Sequence, residues 1–407
     1  MKKQLLLSAA FVLFHSLLNA QPADDLNFRY KEITLPHLMQ KLQTGEKDFV
    51  ILDVRTKGEY YDTVSSGKHL NLGHIKSAIN IPIQDLQQKP EALKQLEPYR
   101  DKEIYVICSH SYRSRAVSKL LVQNNFSGVT NIQGGMSEWF RNYDELKPYA
   151  GYHETNISYS NISPSQLFGK LKTNDPVVFI GFSNNPRFWF DSMMVALYKH
   201  FPEFKDASFF KPADSLLVLE KAKASSGKTI VLFNTIGGGA AEATEWLAKN
   251  GIPNVNYLVG NIGGFYEYVA NYQQEGDIKK YLAPKSGIRF FTPLSFCKSK
   301  PANYQWVDLR HDTTFNKITN GTRLSYKTIK DAVNFPFYKT ADDFAQQFPD
   351  KNKNYLFIPQ QGYVGFELAD EVIKRGYQIH WLMGGIERWE WYTNNIEAFP
   401  CKDYLIK

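Results

Sequence analysis

The chain has 407 residues, 43% hydrophobic, 14% aromatic and 22% charged, with a formal net charge of +7 and three cysteines. Such content supports packed cores and excludes disorder throughout, and three cysteines cannot staple a disulfide-built miniature fold. The length predicts about two to four domains, and the odd cysteine count leaves one thiol over from any pairing.

Met1 to Ala20 opens with Lys2-Lys3, continues through an apolar run from Leu5 to Leu18 and ends Asn19-Ala20. This pattern predicts a secretory signal peptide over residues 1–20, cleaved after Ala20, and an exported protein, periplasmic or secreted. An uncleaved anchor is the alternative. The run contains His15 and Ser16 and is short for a bilayer crossing, and no later stretch predicts an integral membrane span. No cysteine follows the run, which excludes a lipoprotein signal. Loss of Lys2 and Lys3 lowers the charge to +5. Basic and acidic residues are interleaved, so no nucleic acid partner is expected, while the positive excess favours small anions.

Three stretches repeat one pattern. The first runs Ile104 to Cys108, a helix over Arg115 to Gln123, then Gly134-Gly-Met-Ser-Glu-Trp139. The second runs Ile230 to Asn234, a helix over Ala241 to Lys249, then Gly263-Gly-Phe-Tyr-Glu-Tyr268. The third runs Tyr355 to Pro359, a helix over Phe366 to Lys374, then Gly384-Gly-Ile-Glu-Arg-Trp389. Each predicts strand, tight loop, helix, strand and a Gly-Gly turn into an aromatic-bearing helix. Upstream, Leu52-Asp53-Val-Arg55 pairs with Val307-Asp308-Leu-Arg310, and Ala78 to Pro82 pairs with Ala332 to Pro336. Thr34 before Pro36 and Ser163 before Pro164 mark matching helix starts. Short β-branched strands alternating with amphipathic helices predict α/β units, each a parallel-stranded sheet flanked by helices on both faces. Linkers are predicted near Tyr149 to Tyr159 and near Gln274 to Pro293, where Gly and Pro punctuate the chain.

With Glu59-Tyr60, Gly73-His74-Ile75 and Cys108-Ser-His-Ser-Tyr-Arg113-Ser114 added to these motifs, the chain resembles the rhodanese (sulfurtransferase) family. The resemblance is strongest in the first unit. It implies three tandem rhodanese-like domains, over residues 26–150, 158–275 and 295–407, the last two lacking the cysteine.

The chemistry also follows from the residues. Cys108 ends an apolar strand and opens a loop into a helix, where backbone N–H groups and the helix N-terminus favour a thiolate. Arg113, Arg115 and His110 are expected to add positive charge. Such a thiolate attacks a sulfane sulfur and holds it as a persulfide, cradled by the loop, until a second nucleophile removes it. Cys108 is therefore the expected catalytic residue, and Ser109, His110, Ser111, Tyr112, Arg113 and Ser114 the expected substrate-binding residues. The expected partners are a small anionic sulfur donor such as thiosulfate and a cyanide or thiol acceptor. Four residues separate Cys108 from Arg113. The resemblance implies the sulfurtransferase loop, one residue shorter than the Cys-x5-Arg loop of related phosphatases and arsenate reductases. A buried inert thiol is the alternative reading of Cys108.

Ser111 stands where many members of the family carry glycine, so a left-handed backbone there would be strained. Tyr112 is bulky enough to wall the pocket mouth. Asp53 and Arg55 fit either a substrate mouth or a structural ion pair, and the recurrence at Arg310 favours the latter. His74 reads as structural. Asn234 and Pro359 align with Cys108 and cannot form persulfides, so their units are expected to scaffold the first or to bind a protein partner. Cys297 and Cys401 flank the third unit and fit a disulfide in an oxidising compartment. No metal-ligand spacing or dinucleotide fingerprint occurs, so no cofactor is expected. A non-catalytic cell-envelope scaffold remains the alternative function.

Overall fold

A computed structural model describes residues 30–45, 48–65, 67–182, 203–211, 214–234, 239–272, 280–283, 287–315, 327–360, 364–395 and 399–406. The predicted signal segment lies outside them, as do 235–238 and 361–363 of the two cysteine-less loops. Among the described residues the strands form three five-stranded sheets and three two-stranded ribbons.

The first sheet runs, edge to edge, Lys31–Thr34, Gly128–Gln133, Glu103–Ile107, Phe49–Asp53, Ile79–Asn80. The second runs Ser160–Ile162, Val255–Leu258, Thr229–Asn234, Val177–Phe182, Ser208–Phe210. The third runs Arg289–Phe291, Gln378–Leu382, Asn354–Ile358, Tyr304–Asp308, Val333–Asn334. All their pairings are parallel. One strand order thus recurs three times in an α/β fold.

The sequence pattern explains the layers. In Glu103–Ile107, Ile104 and Val106 join a core with Val50, Leu52, Val117 and Leu121. Tyr105 and Ile107 point the other way, into a core with Leu35, Leu38, Met39 and Trp139. Both faces are therefore buried, as period-two strands require when helices cover each side. Leu52 is fully buried, and its truncation to alanine costs about 2–5 kcal/mol. The second and third sheets also have a core on each face.

Three helices start alike. Thr34 caps Leu35–Gln43, Ser163 forms a capping box with Gln166, and Thr292 forms one with Ser295. The third start, and the edge strand Arg289–Phe291, fall where the sequence predicts a linker and ahead of residue 295. A three-residue edge strand is too short to reveal its period among Pro and Gly. The other predicted linker is packed as well: His153–Glu154 pairs antiparallel with His74–Ile75, and Tyr159 is buried.

The sheets touch through specific bonds. Glu242, on the second sheet's Ala240–Lys249 helix, accepts hydrogen bonds from the Gly67 and Lys68 N–H groups at 3.0 Å. Tyr266 donates to the Phe290 carbonyl at 3.0 Å, joining second and third. Cys297 and Cys401 are disulfide-bonded across 104 residues, with Cα atoms 6.0 Å apart, in the aromatic core of Phe296, Trp389 and Tyr404. Among the described residues no helix is long and apolar enough to cross a membrane.

Candidate active site

Cys108 follows the central strand Glu103–Ile107 and is buried, as the only free cysteine of the three. The helix Tyr112–Gln123 begins four residues later, closed by the Arg115 N–H to the Ser111 carbonyl at 2.9 Å. Its first-turn N–H groups lack intrahelical acceptors and put partial positive charge at the loop.

A second turn braces the loop from behind. The N–H groups of Met136 and Ser137 donate to the carbonyls of Cys108 (2.8 Å) and Ser109 (3.0 Å). Gly135 makes this approach feasible: a Cβ there would lie 2.2 Å from the Cys108 carbonyl oxygen, and its φ is +61°. The third sheet repeats the device, with Ile386 and Glu387 donating to Pro359 and Gln360 and Gly385 packed against them.

Glu59 organises the mouth. Arg113 donates to both its oxygens at 2.6 Å and to Ser109 Oγ at 2.6 Å, and Ser109 Oγ donates to Glu59 at 3.1 Å. Burial alone would raise the Glu59 pKa, but the Arg113 bonds and those from Thr56 hold it at about 2. Arg113 is thus a strut within the loop, with both terminal nitrogens engaged by Glu59. Glu59, part of the Glu59-Tyr60 motif, also completes the Thr56 capping box, a Thr-x-x-Glu spacing.

Ser111 does adopt the left-handed conformation, with φ +77° and ψ −22°. Its hydroxyl answers the strain: Oγ donates to the Ile132 carbonyl at 3.2 Å and accepts from the Gly134 N–H. Ser114 Oγ donates to the Ser111 carbonyl at 3.1 Å. The loop is therefore tied to the bracing turn by side chain as well as backbone.

His110 is exposed at the surface of the loop. Crowding by surrounding protein, then the charges of Arg141, His69 and Arg113, push its pKa down to about 4, so it is uncharged at neutral pH, contrary to expectation. Arg115 points away, to Glu32 at 2.9 Å. Tyr112 is exposed. Arg55 and Asp53 are fully buried and bonded to each other, with Arg55 also donating to the Gly73 carbonyl at 2.7 Å. Arg310 and Asp308 repeat the pair in the third sheet. His74 is buried and stacked on Tyr60.

The second repeat needs a realignment. Its left-handed pair is Gly260-Asn261, matching Gly134-Gly135 and Gly384-Gly385, while Gly263-Gly264 lies inside the helix Asn261–Tyr272. Asparagine tolerates left-handed backbone, so the Gly-Gly motif misled. Asn261 Oδ1 accepts from the Asn234 N–H at 3.1 Å, and Asn234 Oδ1 accepts from the Ala240 N–H at 2.9 Å. The amide of Asn234 thereby fills the place of the thiol. Among the described residues no cluster of metal-ligating side chains occurs.

Residues 35–142 match the rhodanese-like domain family. A tRNA uridine(34) hydroxylase of Citrobacter koseri is 28% identical over 125 residues, 30% of this chain and 33% of that protein. The chain therefore spans about a third of that curated relative's length. Among solved structures, a rhodanese-related protein from Thermoplasma volcanium is 32% identical over 28% of this chain and 93% of that one, at a TM-score of 0.22. The thiosulfate sulfurtransferase of Pseudomonas aeruginosa is 14% identical over 87% of this chain and 66% of that one, at a TM-score of 0.23. Cys108 and the loop it opens lie inside residues 35–142, the segment that matches the rhodanese-like domain family.

Proposed function

We propose that the chain is a sulfurtransferase that carries sulfane sulfur on Cys108. The observation that supports it most is the Cys108-x4-Arg113 loop, set between a central strand and a helix N-terminus and held by Glu59, Ser111 and the Gly134 turn. In the first step the Cys108 thiolate attacks the outer sulfur of thiosulfate. An S–S bond forms to Cys108, the S–S bond of thiosulfate breaks, and its electron pair leaves with sulfite. The loop's N–H groups stabilise the persulfide anion. In the second step cyanide or a thiolate takes the outer sulfur, and its bond electrons return to Cys108 as the thiolate. Export is part of the proposal: the basic-apolar start favours it, and the Cys297–Cys401 disulfide suits an oxidising compartment.

Incubation with thiosulfate followed by intact-mass measurement tests the reaction. A gain of one sulfur atom, lost on adding cyanide with release of thiocyanate and absent in Cys108→Ala, is expected. No gain in the wild-type chain overturns it. The burial of Cys108 favours a second reading, a binding protein with an inert thiol. Resistance of Cys108 to both thiosulfate and iodoacetamide would support that reading.

A further inference from the structure

We propose that Arg388, on the cysteine-less third sheet, is a positioning residue for the Cys108 loop. Its guanidinium donates to Glu267 of the second sheet's helix Asn261–Tyr272 at 2.7 and 2.8 Å. It also stands 3.9 Å from Glu138, which follows the turn bracing Cys108. Trp391 and Tyr392 hold it from the side, 4.2 and 5.1 Å from their ring centres. All three sheets therefore meet at one arginine.

Glu138 and Arg388 occupy equivalent places, each four residues after the first glycine of its turn. Each side chain folds back over that glycine, so that a Cβ on Gly134 would lie 2.1 Å from Glu138 Cγ, and one on Gly384 2.5 Å from Arg388 Cβ. The repeat has thus placed opposite charges at one position in two copies, and the copies face each other. Glu138 is almost fully buried and also accepts from Asn142 at 2.7 Å and from Arg141 at 3.1 Å. Loss of Arg388 takes from Glu267 its two hydrogen bonds and from Glu138 a nearby positive charge, which leaves both carboxylates less well compensated in a poorly solvated place. The segment that would yield is Gly134–Glu138, because Glu138 lies on Gly134. Gly134 holds Ser111, and Met136 and Ser137 hold Cys108 and Ser109. The third sheet therefore acts on the nucleophile through the 3.9 Å Arg388–Glu138 contact and the hydrogen-bonded turn behind it.

The role rests on the sulfur-transfer reading, so two readouts are used on the whole chain. Arg388→Met is expected to lower kcat for sulfur loading from thiosulfate about tenfold with KM within about twofold, and Arg388→Lys to recover most of the loss. Iodoacetamide labelling of Cys108, which needs no sulfur transfer, is expected to change at least about threefold in Arg388→Met as the loop loosens. Should Arg388→Met fail to fold, Glu267→Gln removes the arginine's second anchor and is expected to shift both readouts the same way. Wild-type kcat and wild-type labelling in the folded variant overturn the proposal. A chain that never loads sulfur but whose labelling responds to Arg388 overturns the sulfur-transfer reading and leaves the positioning role standing.

Discussion

Glu59 and Arg113 are joined by two hydrogen bonds of 2.6 Å, one to each carboxylate oxygen, across the mouth of the Cys108 loop. The pair links a helix that follows the Phe49–Asp53 strand to one that follows Glu103–Ile107. Glu59→Gln keeps the shape and removes the charge. It is expected to destabilise the fold by about 2 kcal/mol, solvent at the arginine side screening the rest, and to slow sulfur loading about tenfold. Urea unfolding and the mass assay check the two effects.

The same carboxylate sets an acid response. Glu59 is held at about 2 when folded against an ordinary value of 4.5. A lowered folded pKa stabilises the protein above the unfolded value, so this contribution is intact above about pH 4.5 and is lost as pH falls towards about 2. Stability measured by urea at stepped pH should drop across that window in the wild type and drop less in Glu59→Gln.

Ser111 offers a test of strain against tethering. Ser111→Ala keeps the left-handed backbone but loses both bonds of the hydroxyl, and is expected to cost about 1–2 kcal/mol. Ser111→Gly loses the same bonds but relieves the backbone, and is expected to lie within about 0.5 kcal/mol of wild type. Equal losses in the two variants would show that the backbone carries no strain.

Gly135→Ala places a methyl 2.2 Å from the Cys108 carbonyl oxygen at a φ of +61°. Neither backbone can move without releasing the Met136 and Ser137 bonds, so a loss above about 3 kcal/mol is expected, with no sulfur loading in any folded fraction. Calorimetry and intact mass measure these.

Removing the disulfide with Cys297→Ala and Cys401→Ala is expected to destabilise the third sheet by about 4.7 kcal/mol, the chain-entropy value for a loop of this length. Thermal unfolding with and without reductant checks it: the wild type should fall to the level of the double variant, which should not respond.

The motifs with regular spacing were legible in the sequence. Alternation at Ile104–Cys108, the Thr/Ser-Pro helix starts and the Asp-x-Arg pair each reflect a local rule that one stretch of chain obeys alone. The Glu59–Arg113 pairing was not, because 54 residues separate the two and neither signals the other. The second repeat was misaligned since Asn261 does in its turn what glycine does elsewhere. The conflict between Ser111 and its backbone is visible in the sequence, but the relief comes from Ile132 and Gly134, which only the folded sheet brings near. The positive charge expected at His110 is removed by surrounding protein and by Arg141, His69 and Arg113, neighbours that only the fold supplies.

The sequence positions of the cysteines carry a consequence for biosynthesis. The last strand of the first sheet ends at Gln133, long before Cys297 is made. A chain growing from its N-terminus can therefore complete the sheet around Cys108 before another cysteine has been made. Cys297 and Cys401, which come later, pair with each other and leave Cys108 as the free thiol.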